Sequence, residues 1–145
     1  MSFIVRKATE EDALPIQHFV VKTGLAVVPA TVDWTTFLIA ENEKGEFAAV
    51  VRIQKVSERT GLIRTLIMDS EKITNLFILE FLEATLHYAS NEGIESIYLM
   101  AAREASFFQQ LGFEQIGEQE VPEGLKMLED VNNHLIKQLP IFVKK

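Results

Sequence analysis

Few residues in this chain are of types that do chemistry, and those few are spaced apart. The carboxylates Glu58, Asp69 and Glu71 fall near turns, where each is a candidate general base and equally a solvated or capping side chain. His18, His87 and His134 are scattered with no cluster at ligand spacing, so no metal is expected. The absence of cysteine excludes thiolate zinc sites, cysteine nucleophiles and disulfides. No Gly-rich phosphate loop, Gly-x-Ser-x-Gly elbow or catalytic carboxylate pair can be read in the chain. Phe107 and Phe108 stand together on a short amphipathic segment, and adjacent aromatics there are foremost core anchors.

The elements that must position these residues follow from length, charge and pattern. A chain of 145 residues is the size of one domain with its own core. Its 14 basic and 21 acidic residues give a net charge of −7, a poor starting point for contacts with nucleic-acid phosphates. No apolar run reaches the ~18 residues of a membrane helix, and no basic, then apolar leader opens the chain. The expectation is a soluble, cytoplasmic protein that binds neither nucleic acid nor membrane.

Residues 3–8 read as a first strand, and Thr9 with Glu10, Glu11 and Asp12 as the start of a helix carrying Ile16, Phe19 and Val20 on one face. Residues 25–36 are ambiguous. Strands are expected over residues 37–41, 46–56 and 62–68, joined by turn-rich links as an antiparallel meander. Residues 73–89 read as a long helix with a polar stripe at Glu80, Glu83, His87 and Ser90, with Asp69 or Ser70 as candidate caps. Residues 94–101 read as a central strand and 103–111 as a second helix stopped by Gly112. Strands are expected over 113–121 and 125–128, and residues 132–145 give no clear pattern. The order is β-α-β-β-β-α-β-α-β-β, without the internal echo that a tandem βαβββ metalloprotein requires.

On these elements sit three local matches. Val5-Arg6-Lys7-Ala8-Thr9-Glu10-Glu11-Asp12 resembles the opening I-R-x-A-T-x-E-D of GNAT-family N-acetyltransferases. Phe107-Phe108-Gln109-Gln110-Leu111-Gly112-Phe113-Glu114 resembles their late F-Y-E-K-L-G-F-E motif, and Ile67-Met68-Asp69-Ser70-Glu71 stands where they carry V-D-P-E. The resemblance implies an α+β domain over residues 1–145 with a mixed, twisted sheet and helices on both faces. It also implies acetyl-CoA as cofactor. The pantetheine arm would lie along the fourth strand at Leu66, Ile67 and Met68, and the pyrophosphate on amides of Ile73, Thr74, Asn75, Leu76, Phe77 and Ile78. Phe108 stands at the position of the family's tyrosine, whose hydroxyl serves as general acid toward the leaving thiolate.

The chain departs from the pattern at the cofactor loop. The family's [Q/R]-x-x-G-x-[G/A] falls on Ile73, Leu76 and Ile78, and a further common glycine falls on Thr74. Backbone amides persist, but bulk replaces the glycines that let phosphates approach. Phe108 offers no hydroxyl, Ala101-Ala102 replace a frequent asparagine, and the fourth strand holds no carboxylate base. Arg64 and Lys72 are the basic residues nearest the implied phosphate positions, with ordinary surface charge the plainer reading of both.

Two functions stay open at this point. One is transfer of an acetyl group to a small-molecule or protein amine, with acetyl-CoA bound weakly, no better than roughly millimolar. The other is a non-catalytic binding or interaction module that keeps the scaffold without the cofactor. A homodimer is the expected assembly for the fold.

Overall fold

The structure, a computed structural model, describes residues 3–23, 32–69, 71–101 and 106–145. The chain forms two compact units, Met1–Ile53 with Arg64–Thr85, and Gln54–Ile63 with Leu86–Lys145. Two strands, β3 (Phe47–Ser57) and β4 (Thr60–Met68), contribute residues to both.

In the first unit, β1 (Ile4–Lys7) pairs antiparallel with β2 (Phe37–Glu41), and β2 pairs antiparallel with β3. The order continues from β3 to β4. Ala48, Ala49, Val50 and Val51 are all buried, the pattern of a strand covered on both faces. The β2–β3 turn is built by Asn42, whose Oδ1 accepts from the amides of Lys44 and Glu46, and by Gly45 at φ +77°. α1 (Ala13–Thr23) lays Ile16, Phe19 and Val20 onto Phe37, Ile39, Val50 and Ile67.

The opening motif has a structural explanation. Arg6 donates from Nη1 and Nη2 to the Asp12 carboxylate at 2.8 and 2.9 Å, and from Nε to Glu41 at 3.1 Å. Asp12 also accepts from the amide of Thr9 at 2.7 Å, closing the turn that starts the helix. These bonds, the Arg6 guanidinium foremost, hold the Asp12 carboxyl at about 2, well below its usual range.

In the second unit, β4 runs parallel to β5 (Ser96–Met100), with Thr60 opposite Ser96 and Ile63 opposite Leu99. β5 pairs antiparallel with β7 (Ile141–Lys144), and β7 with β6 (Glu114–Ile116). One parallel pairing among antiparallel ones makes the sheet mixed, as the α+β reading expected. α3 (Ser106–Gln110), α4 (Glu123–Lys126) and α5 (Glu129–Ile136) fill the connections. Leu62, Tyr98, Val121, Leu125, Val131, Ile141 and Val143 form the core. The Leu-Gly-Phe of the late motif is a helix stop: Gly112, at φ +91°, follows α3, and a Cβ there would lie 2.6 Å from Lys144 Nζ.

Several local expectations are corrected. Residues 125–128 are not a strand, because Pro122 and Glu123 start a helical turn with the amides of Leu125 and Lys126 bonded to the Pro122 carbonyl. The strand expected over 113–121 shortens to Glu114–Ile116. The unassigned tail contains α5 and β7, and β7 inserts between β5 and β6. The long helix is α2 (Asn75–Asn91), with its stripe at Glu80, Glu83, His87 and Ser90 exposed as expected. Residues 24–31, Ser70 and 102–105, which include much of the ambiguous segment, one candidate cap and the start of the second expected helix, lie outside the described residues.

Candidate functional site

The site begins where β4 leaves β5. Their pairing covers Thr60–Ile63 and ends at Ile63 opposite Leu99, while β4 continues to Met68. Residues 65–68 therefore carry backbone donors and acceptors on that side with no strand partner among the described residues. Just past the last pair, Thr65 adopts φ +46°. A β-branched residue in the left-handed region is costly, on the order of 1–3 kcal/mol, and such strain gathers at functional sites. The Ile67 side chain is buried in the first unit's core, so its contribution to a ligand is its backbone.

From Met68 the chain passes through a turn into α2. The Asp69 amide donates to the Ala48 carbonyl at 2.8 Å, and Asp69 accepts from the amides of Glu71 and Lys72 through Oδ1 and its carbonyl. Asp69 thus makes the turn, and Thr74 makes the cap. Thr74 Oγ1 accepts from the Phe77 amide at 3.2 Å, and the Thr74 carbonyl accepts from the Ile78 amide at 3.1 Å. Ile73 and Thr74 precede the helix, correcting the expected start. The amides of Asn75 and Leu76 have no acceptor among the described residues, and both residues are exposed. The Phe77 ring is buried, 4.3 Å from Phe3 and 5.9 Å from Phe81 between ring centroids. Leu76, standing where the family has glycine, is 65% exposed, so its bulk is not packed into the helix end.

No family model matches the chain. The uncharacterized protein YwlB of Bacillus subtilis is 27% identical over 127 residues, covering 86% of this chain and 84% of that one. Among solved structures, the chain is similar to N-acetylglutamate synthase from Neisseria gonorrhoeae, complexed with coenzyme A and N-acetyl-glutamate, with TM-score 0.77, 16% identity and 99% of this chain covered. This chain spans 35% of that enzyme's length. It is also similar to a GNAT-family acetyltransferase of Staphylococcus aureus, with TM-score 0.71, 12% identity, and 99% and 98% of the two chains covered. The fold is that of the GNAT acetyltransferases.

Within that GNAT fold the predicted residues divide between the two units. Leu66, Ile67, Met68, Ile73, Thr74, Asn75, Leu76, Phe77 and Ile78 all belong to the first. Phe108 belongs to the second, buried against Phe113 at 6.1 Å and Phe142 at 5.4 Å, as a core anchor is. Of the candidate bases, Glu58 and Glu71 are exposed, and Asp69 serves its turn and lies 3.8 Å from Lys72 Nζ. Lys72 also approaches Glu46 at 3.7 Å, so its charge is shared with two carboxylates. A cavity of about 430 Å³ in the second unit, between the end of α2 and β5, falls on residues that no motif had marked. Among the described residues no helix is long and apolar enough to cross a membrane, and no cluster of His, Asp or Glu is arranged to hold a metal.

Sequence reasoning left two residues beside the free edge of β4 unmarked. Thr65 carries no sequence signal for its backbone. Arg52, half-buried on β3, does: it interrupts the apolar run from Ala48 to Ile53, and a charge inside such a run needs a reason.

Proposed function

We propose that this chain is an N-acetyltransferase that moves an acetyl group from acetyl-CoA to an amine. The observation that carries the reading is the free edge of β4 over residues 65–68, running from strained Thr65 through the Asp69 turn to the open end of α2. A row of unpaired backbone groups followed by unpaired helix amides suits a ligand with an amide-bearing arm and a pyrophosphate. Leu66, Ile67 and Met68 would hold the arm through their backbones. Ile73, Thr74, Asn75 and Leu76 would hold the phosphates, while the amides of Phe77 and Ile78 are already bonded to Thr74. When bound, the cofactor supplies an activated acyl carbonyl. This chain's part is to orient the amine beside it. Phe108 offers no proton, so proton movement falls to water and the acceptor, and a thiol pKa near 8.5 makes that sufficient.

A second reading, a module that binds without transferring, is favoured by Phe108 and by Leu76 and Ile78 in place of glycine. We also read residues 1–145 as one functional domain, working in the cytoplasm and assembling as a dimer, which sedimentation tests. A thiol-release assay over a panel of amines, beside calorimetry with acetyl-CoA and CoA, tests the function. Amine-dependent thiol release supports the transferase. Binding without release supports the module, and neither binding nor release overturns both.

A further inference from the structure

We propose that Arg52, with Arg64 on the adjacent strand, recognises a carboxylate on the acceptor, which makes the acceptor an amine that also bears a carboxylate, an amino acid by chemical class. The word acceptor rests on the acetyltransferase reading; the anion site does not.

Arg52 lies in the most apolar stretch of β3, with Val50, Val51 and Ile53 buried around it. Its Nε is buried and has no hydrogen-bond partner. Among the described residues no carboxylate pairs with it, and burial alone pulls its pKa down. An N–H held this way has lost water and gained no partner in exchange, a state natural interiors avoid. Arg64 on β4 is also half-buried; burial first and then the charge of Arg52 lower its pKa, so the two cations repel. An anion beside both removes the repulsion and supplies the missing acceptor. A carboxylate matches the planar fork of a guanidinium with two parallel bonds.

Position separates this anion from the cofactor phosphates. Arg64 immediately precedes Thr65, where β4 has just left β5. Four further strand residues at ~3.3 Å each put Met68 about 13 Å onward, with the Asp69 turn still to come before α2. A phosphate on the helix amides is therefore at the far end of the arm, and Arg52 stands at the acyl end, where the acceptor belongs.

The test pairs L-glutamine and L-leucine, each with a single carboxylate, with their α-carboxamides, in the thiol-release assay and in calorimetric titrations of the full chain. The free acids should exceed their amides at least tenfold in kcat/KM. Arg52→Gln should raise the acceptor KM at least tenfold while the KM for acetyl-CoA changes less than twofold. Arg52→Lys should recover part of the loss, and Arg52→Met should unfold no earlier than the native chain without ligand, as a structural arginine would not allow. Equal use of acid and amide, or an unchanged acceptor KM in Arg52→Gln, overturns the site. A larger effect on acetyl-CoA than on the acceptor also overturns it by assigning Arg52 to a phosphate. If no thiol is released at all, the titrations decide: carboxylate binding that Arg52→Gln abolishes upholds the anion site while the transferase reading fails. Absence of carboxylate binding in the native chain then overturns the site.

Discussion

Arg6 and Arg52 are arginines of the same compact unit on strands β1 and β3, and their surroundings are opposite. Arg6 spends its nitrogens on Asp12 and Glu41, and its pKa rises with the side-chain bond to Asp12 as the main cause. Arg52 has a buried Nε without a partner, and its pKa falls through burial. The first is a structural charge whose cost is met inside the chain. The second keeps a buried N–H that no group among the described residues meets. The opening motif that resembles the GNAT pattern is therefore the architectural one, and the arginine that no motif marked is the one free to bind.

The largest expected effect comes from breaking the satisfied pair. Asp12→Ala leaves Arg6 facing one carboxylate and opens the capping turn, and should cost roughly 2–4 kcal/mol by urea unfolding. Arg52→Met should cost nothing or stabilise the ligand-free chain, because a half-buried charge with an unpaired N–H is replaced by apolar volume. Comparable losses for both would erase the distinction.

The pH dependence sharpens it. The Asp12 carboxyl sits at about 2 when folded against 3.8 unperturbed, so its folded pKa is depressed. Its contribution is full above the unfolded value and is lost as pH falls from about 4 to about 2, some 2 kcal/mol in all. Asp12→Asn should flatten the acid limb of stability against pH in that window. An unchanged limb would show that other carboxylates set it.

Smaller effects follow at the helix start and the late motif. Thr74→Ala removes the cap on α2 and should cost about 1 kcal/mol while weakening acetyl-CoA binding. Phe108→Tyr puts a hydroxyl among Phe113 and Phe142 and should cost about 1–2 kcal/mol unless the group finds an acceptor. Smallest is Thr65→Gly, where relief of the left-handed backbone offsets the added chain freedom, so stability should change by less than about 1 kcal/mol. Differential unfolding of the three variants checks this order.

The strands up to β5 were legible because each is a local apolar run bounded by turn residues, and the Phe108 anchor was legible from its neighbours in the motif. The start of α2 was not: Asp69 and Thr74 are both good cap residues, and only the three-dimensional turn, with the Asp69 amide tied to Ala48, assigns Asp69 to the turn and Thr74 to the helix. β7 went unassigned because the apolar run Ile141-Phe142-Val143 is too short to declare a strand by itself, and its place comes from insertion between β5 and β6. Pro122-Glu123-Gly124 reads as a turn in sequence but opens α4, since Leu125 finds a buried place in the second unit's core. In the candidate site, the chain of residues 66–78 could be placed by resemblance. The free edge of β4, the backbone of Thr65 and the missing partner of Arg52 are properties of pairing, which composition and spacing do not carry.

The proposed seat of acetyl-CoA is the edge of β4 together with the open end of α2. Calorimetric titration of the full chain with acetyl-CoA tests it most directly. Saturable one-to-one binding is expected, with Kd on the order of 1 mM, weakened by Thr74→Ala and unaffected by Arg52→Gln. Absence of saturation at several millimolar, or binding indifferent to Thr74, would contradict it.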